Sequence, residues 1–259
     1  MDIKRETEYI FRMTVPYKDI FTTVYAIKTP QGTVLFDAAS FDSDTPEYLL
    51  PMLKELNISP NELKYIFISH NHGDHAGGLE GLKGYVPNTC IASRSPALQE
   101  KHPDMRFLVP EDGDRILDVL QVVTIPGHSM DSMALLDTRT NTLISGDCLQ
   151  LYGIYGSGSW ACNIGFPVIH MQALEKVRAM NIQTIVAAHD YHPYGYRYDG
   201  SEEIGRVLDA CVEPLMKIKA MIMENPDMTD EQIVALYNAP AMLPKLGVRP
   251  VSAIRKELL

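Results

Sequence analysis

The chain has 259 residues, 46% apolar and 22% charged, the balance of an ordinary soluble globular protein long enough to bury a sizeable core. Its net charge of −10 and pI near 5.2 argue against a broad nucleic-acid footprint, and no Lys/Arg cluster supplies a local one. The charged start, Met1 to Glu8, has no apolar signal core, and no apolar run is long enough to span a bilayer, so a cytoplasmic protein is expected.

Residues 9 to 37 read as strands. Thr29-Pro30-Gln31-Gly32 has the form of a type I turn, with Pro at the second position and Gly at the fourth, joining 22–28 to 33–37 as a hairpin. Leu49, Leu50, Leu53 and Leu56 share one face of a helix expected near 46–56. The apolar run Tyr65-Ile66-Phe67-Ile68 then leads into Ser69-His70-Asn71-His72-Gly73-Asp74-His75-Ala76-Gly77-Gly78. This segment offers four metal ligands within six residues: His70 and His72 can grip one ion, while Asp74 and His75 can turn toward another. Gly77-Gly78 allows close approach of backbone, and a short helix to Leu82 is expected.

Residues 106 to 146 are again mostly strands, and further ligand types stand at the ends of apolar runs. His128 follows Leu120–Ile125, Asp147 follows Thr142–Ser145, and His189 follows Thr184–Ala188, the last strand, with a helix over 167–180 between them. Five histidines and two carboxylates make a complete set for two Zn²⁺-like ions with room for a water. Ligands at strand ends sit on the rigid frame that a metal site needs. His102 and His170 fall outside the set and are read as bystanders.

Two loops follow ligands directly. One is 149–160, uncharged and holding Tyr152, Tyr155 and the only Trp, Trp160; the other is 191–198, holding His192 and Tyr194. As pocket walls these five residues would bind a neutral, partly apolar or aromatic substrate. From Ser201 the pattern turns helical. Ile204, Val207, Leu208, Cys211, Val212 and Leu215 are amphipathically spaced, with Pro214 expected to kink or interrupt the helix. Thr229-Asp230-Glu231-Gln232 has capping-box form, and a third helix is expected from Pro250. The division expected is a catalytic domain over 1–199 and a helical extension over 200–259 packed on it, the latter serving as packing, substrate lid or dimer contact. Cys90, Cys148, Cys162 and Cys211 are widely spaced without a C-x-x-C, and read as reduced thiols.

This pattern resembles the metallo-β-lactamase superfamily: His-x-His-x-Asp-His, a His after a Pro-Gly turn, an Asp after a Gly, and a late His, over roughly residues 9 to 195. The resemblance implies a mixed α/β (α+β) fold, a four-layer αββα sandwich, here with a C-terminal helical appendage. It implies that His70, His72 and His128 hold one metal, that Asp74, His75 and His189 hold a second, and that Asp147 bridges them. Asp74 would also orient the nucleophile or shuttle its proton. Asp37 matches an early family Asp, either hydrogen-bonding a ligand histidine or capping a strand end. Two divalent ions are implied, zinc by default, with iron or manganese accepted by the same ligands.

Glyoxalase II-like thioesterases and homoserine lactonases share the seven-ligand set, which makes a small-molecule ester, thioester or lactone the expected substrate. The stretch after Asp147 lacks the basic residues that glyoxalase II-like enzymes place there for glutathione. At the position where the lactonases have a Tyr stands Gln150, with Tyr152 or Tyr155 left to substitute. True β-lactamases of the zinc type lack the bridging Asp. The alternatives are a small phosphodiester hydrolase and an iron-dependent, persulfide-type dioxygenase; a flavodiiron protein is disfavoured because His72 stands where that family has Glu. The partner expected is a small molecule, with neither nucleic acid nor membrane, and with homo-oligomerisation left open.

Overall fold

In the computed structural model, residues 2–241 and 243–259 are described. They divide into two compact units, one comprising the chain up to Val123 with Met133–Thr140, the other Thr124–Ser132 with Asn141–Leu259.

The first unit is built on a seven-stranded sheet in chain order: β1 (Ile3–Arg5), β2 (Ile10–Tyr17), β3 (Ile20–Thr29), β4 (Gly32–Phe36), β5 (Leu63–Phe67), β6 (Cys90–Ala92) and β7 (Arg106–Leu108). The β3–β4 hairpin closes at Thr29 opposite Gly32, where the turn chemistry requires it. β4 through β7 then pair in parallel, each crossover carrying a short helix: α1 (Leu50–Glu55), then α2 (Gly73–Ala76) with α3 (Leu79–Lys83), then α4 (Pro96–Lys101). Buried Leu35, Ile66, Ile68 and Ile91 from the sheet meet Leu49, Leu53, Leu79 and Leu82 from the helices in one apolar core. Gly77 and Gly78 lie so close to the carbonyls of Ser40 and Ala38 that a Cβ at either would overlap them. The ligand segment is thereby pulled onto the end of β4. The same unit contains β8 (Arg115–Ile116), β9 (Leu120–Thr124, apart from its last residue) and β10 (Met133–Asp137).

The second unit has β13 (Thr184–His192) at its centre, paired in parallel with β11 (Thr142–Ile144) and antiparallel with both β12 (Gly153–Ile154) and β14 (Gly195–Asp199). Around it stand α5 (Pro167–Arg178), α6 (Gly200–Glu224), α7 (Asp230–Asn238) and α8 (Val248–Leu258). Leu215, Ile218, Ile233, Tyr237, Val251 and Ile254 form a buried core among the last three helices. Thr229 and Gln232 make both bonds of the expected capping box.

Three local readings are corrected. The last strand does not stop at residue 188 but runs to His192, and 191–198 is a hairpin rather than a loop; alternating Tyr194, Tyr196 and Tyr198 suit an extended strand. Within 149–160, Gly153-Ile154 form a strand paired with Tyr191-His192. Pro214 neither ends nor splits α6: it is buried within one 25-residue helix, and burial of that face offsets the lost hydrogen bond. Among the described residues, no helix is long and apolar enough to cross a membrane.

Candidate metal centre

Each unit carries its own cluster of ligand types. In the first, parallel strand β5 delivers Ser69 and His70, and His72 stands in extended conformation as the N-cap of α2, whose first turn holds Asp74 and His75. Asp37 terminates β4 in the left-handed region (φ 64°), a conformation Asp tolerates. Its buried carboxylate accepts three hydrogen bonds, from the Ser69 backbone N–H at 2.7 Å, Ser69 Oγ at 3.0 Å and His75 Nδ1 at 2.7 Å. Because Ser69 Oγ donates to Asp37, it accepts from His70 Nδ1, 3.1 Å away. Both rings therefore carry the proton on Nδ1 and present the Nε2 lone pair, the form a metal-binding imidazole takes. His70 lies 4.5 Å from His72 and 4.3 Å from His75 by ring centroids. His75 Nε2 faces Asp74 Oδ2 at 3.4 Å. Burial pushes the Asp37 carboxyl above its ordinary pKa, opposed by His75 and the Ser69 hydrogen bonds.

In the second unit Asp147 is the hub. Its Oδ1 accepts from the Tyr191 hydroxyl at 3.0 Å and lies 3.1 Å from His189 Nε2, while its Oδ2 lies 3.6 Å from His128 Nε2. His128 donates from Nδ1 to the carbonyl of Asn163 at 2.6 Å, so here too Nε2 is the lone-pair atom. A neutral imidazole lone pair turned toward a carboxylate oxygen sets two acceptors face to face, an arrangement a cation between them relieves. His75 and Asp74 repeat it in the first unit. The donor set of imidazole and carboxylate thus fits divalent metal ions.

Gln150 stands at the position read against the lactonase Tyr. Its Nε2 donates to the Asp147 carbonyl at 3.1 Å and to the Tyr191 hydroxyl at 3.3 Å, and its Oε1 accepts from Asn163 N–H at 3.0 Å. The phenol that reaches Asp147 is therefore Tyr191, from β13, and not Tyr152 or Tyr155. Tyr191 is buried, so it holds the carboxylate.

Tyr152, Tyr155, His192 and Tyr194 lie on or beside the paired β12 and β13. By strand alternation His189 and Tyr191 share the face that meets Asp147, and His192 lies on the opposite face. There its ring sits between Tyr152 (5.4 Å) and Tyr155 (4.8 Å). His192 and Tyr155 border a cavity of about 450 Å³ with Ile154, Ser157, Leu243 and Pro244. Tyr152 and Tyr194 border another of about 320 Å³ with Glu213, Lys217 and Tyr237. Trp160 borders neither of these two cavities. Cys148, beside Asp147, is buried, as are the other three thiols.

His170 lies in α5 against Gly127, fully buried, with no hydrogen-bond partner for either ring nitrogen among the described residues. Burial first and His128 second push its pKa down to about 3. The unfolded chain binds this proton near pH 6.5 and the folded chain does not. Stability is therefore expected to fall as pH drops from about 6.5 toward 3. His170→Leu should flatten that acid limb, read as urea midpoint against pH; an unchanged slope would refute the assignment.

Sequence reasoning missed Ser69, Tyr191, Asn163 and Arg249. Ser69 and Tyr191 carry a local signal, one adjacent to a ligand and one two residues beyond a ligand on the same strand. Asn163 and Arg249 carry none, since they reach His128 across 35 and 121 residues of chain.

Comparison with known proteins agrees with this chemistry. A hydroxyacylglutathione hydrolase of Rippkaea orientalis is 31% identical over 58% of this chain and 62% of its own length. An atrochrysone carboxyl ACP thioesterase of Emericella nidulans is 28% identical over 65% of this chain and 51% of its own length. The chain thus matches about half to two-thirds of those relatives. Among solved structures, a metallo-β-lactamase from Hirschia baltica superposes with a TM-score of 0.61 at 20% identity, over 81% of this chain and 97% of that one. A flavodiiron protein from Giardia intestinalis gives 0.65 at 16% identity, over 82% and 58%. These two share the fold: mixed α/β with two sheets and flanking helices, to which the C-terminal helices are added. The metallo-β-lactamase superfamily model matches residues 17–189, and with the ligand types at the strand ends that match makes this chain a member of the superfamily.

Proposed function

We propose that the protein is a metal-dependent hydrolase of a small-molecule ester, thioester or lactone, with two divalent ions, zinc by default, as its cofactors. In this reading His70, His72 and His128 hold one ion, Asp74, His75 and His189 the other, and Asp147 bridges. The observation that carries it is Asp147, whose two carboxylate oxygens each face a histidine Nε2, at 3.1 and 3.6 Å. When bound, such a metal pair supplies hydroxide near neutral pH and Lewis acidity for a developing oxyanion. The chain's own part is to hold and orient. Asp37 and Ser69 fix the tautomers of His75 and His70. Asp74 would also orient the nucleophile or shuttle its proton to the leaving group.

Two relatives named for hydroxyacylglutathione and acyl-carrier-protein thioesters support the bond class. The lack of Lys or Arg over 149–160 argues against glutathione. The lack of charge over 149–160 favours a neutral, partly apolar acyl group. Tyr152, Tyr155, His192 and Tyr194 are candidates for contacting its distal part, since His192 lies on the face of β13 away from His189. We further propose that residues 1–199 form the catalytic part and 200–259 an appendage packed on it. Buried, widely spaced thiols fit a reducing cytoplasm.

Proton release by zinc-, manganese- and iron-loaded protein over lactones, thioesters, esters and phosphodiesters tests this. A carboxylic-ester or thioester hit, lost with chelator and with His70→Ala, supports it. Turnover confined to phosphodiesters, or oxygen uptake by the iron form without hydrolysis, overturns it. His102, whose Nδ1 bonds Glu80 at 3.0 Å in the first unit, has no part in the mechanism. His102→Ala is expected to keep kcat/KM within about twofold and to lose on the order of 1 kcal/mol of stability; a tenfold activity loss would count against the ligand set.

A further inference from the structure

We infer that Arg249, in the first turn of α8, is a positioning residue for the metal ligand His128. The inference rests on the metallohydrolase reading above. Arg249 Nη2 donates to the His128 carbonyl at 2.7 Å, and Nη1 donates to Asn163 Oδ1 at 3.0 Å. The same Asn163 accepts the His128 ring proton on its carbonyl. His128 is thus gripped twice, its backbone by Arg249 directly and its ring by an asparagine that Arg249 steadies. The Gly127 carbonyl, one residue earlier, accepts from the N–H groups of Gly165 and Phe166 at 2.9 and 3.0 Å. The guanidinium itself lies against Gly165, where any Cβ would overlap it. The missing side chain at Gly165 is the slot that Arg249 occupies.

The grip continues toward Asp147. Asn163 N–H donates to Gln150, and Gln150 donates to the Asp147 carbonyl. A shift of Asn163 would therefore turn the His128 ring and loosen the carboxylate beside it. The guanidinium presents Nη1 and Nη2 to the two oxygens in a fixed planar fork; a lysine ammonium is a more compact charge on a flexible stem without that fork. α8 has separate anchors. Arg255 donates to Asp230 and to the Met228 carbonyl, both at 2.8 Å, Glu257 accepts from Val168 N–H at 3.1 Å, and Val251 and Ile254 are buried. The last helix thus contributes a functional side chain to the ligand cluster as well as packing.

The test compares full-length wild type, Arg249→Ala, Arg249→Lys and Arg255→Ala by zinc affinity in chelator competition, zinc stoichiometry and melting temperature. Arg249→Ala is expected to weaken one zinc by about 10–100-fold, the usual cost of an outer hydrogen-bond partner. Arg249→Lys should not restore it, and added guanidinium ion should restore it in part. Arg255→Ala should lower the melting temperature and leave zinc affinity unchanged. Gly165→Ala, which crowds the guanidinium, should act in the direction of Arg249→Ala and serves if that variant fails to fold. Wild-type zinc affinity in Arg249→Ala, or in Gly165→Ala where it stands in, overturns the inference. So does an equal loss in Arg255→Ala, which would make the effect one of helix stability alone. A wild type that binds none of zinc, manganese and iron removes the metallohydrolase reading and this inference together; metal-loaded wild type with unaffected variants removes only the inference.

Discussion

Asp147→Asn is expected to lose metal and turnover together. The amide keeps the shape of the side chain, so packing and the backbone bond from Gln150 survive. It replaces one carboxylate oxygen with an NH₂ that must face the Tyr191 hydroxyl and His189 Nε2, or else His128 Nε2. A donor at that position cannot ligate, and the charge that would bind two cations is gone. The loss in kcat/KM should exceed the roughly 10–100-fold that follows removal of a partner outside the ligand set. Metal content after dialysis should fall from two ions per chain toward one or none. Stability without metal should hold, because a buried carboxylate has been replaced by a neutral group that costs less to bury. A variant that keeps two tightly held ions and wild-type turnover would exclude the bridging role.

The same residues show why part of the molecule was legible in the sequence. His70, His128, Asp147 and His189 each follow an apolar run, and a run that ends in a ligand type announces a strand ending at a site. The His-x-His-x-Asp-His segment needed only its own spacing, since a one-turn helix after His72 is enough to present Asp74 and His75. What escaped was long-range. Asn163 and Arg249 have no local pattern, because their role is set by a turn at His128 that reaches them only after folding. The 149–160 segment reads as a loop because Gly and Ser recur in it, and 191–198 because Pro193 and Gly195 interrupt it. Yet Gly153-Ile154 and Tyr191-His192 supply each other's hydrogen bonds, and that pairing is invisible to either segment alone. Pro214 misled for a related reason: its helix-breaking cost is local, while the burial that outweighs it is not.

Asp37 offers the second large effect, and it separates two roles that the sequence leaves level. As a mere strand-end cap it would be needed for its φ of 64° and its bond to Ser69 N–H. As a partner to a ligand it would be needed for its acceptor toward His75 Nδ1. Asp37→Ala removes both and should cost about 3–5 kcal/mol, since it strands buried donors of Ser69 and His75. Asp37→Asn divides them. Asn tolerates the left-handed backbone and keeps an oxygen for Ser69 N–H, but its NH₂ meets His75 Nδ1 with a donor. The ring must then carry its proton on Nε2, where a metal would bind. The Asn variant is therefore expected to fold with a urea midpoint near wild type and to lose zinc affinity by about 10–100-fold. If it matches the wild type in both measurements, Asp37 is a cap and nothing more. If it loses zinc with the fold intact, the carboxylate sets the protonation of His75, and through Ser69 that of His70, the two histidines of the motif that share its hydrogen bonds.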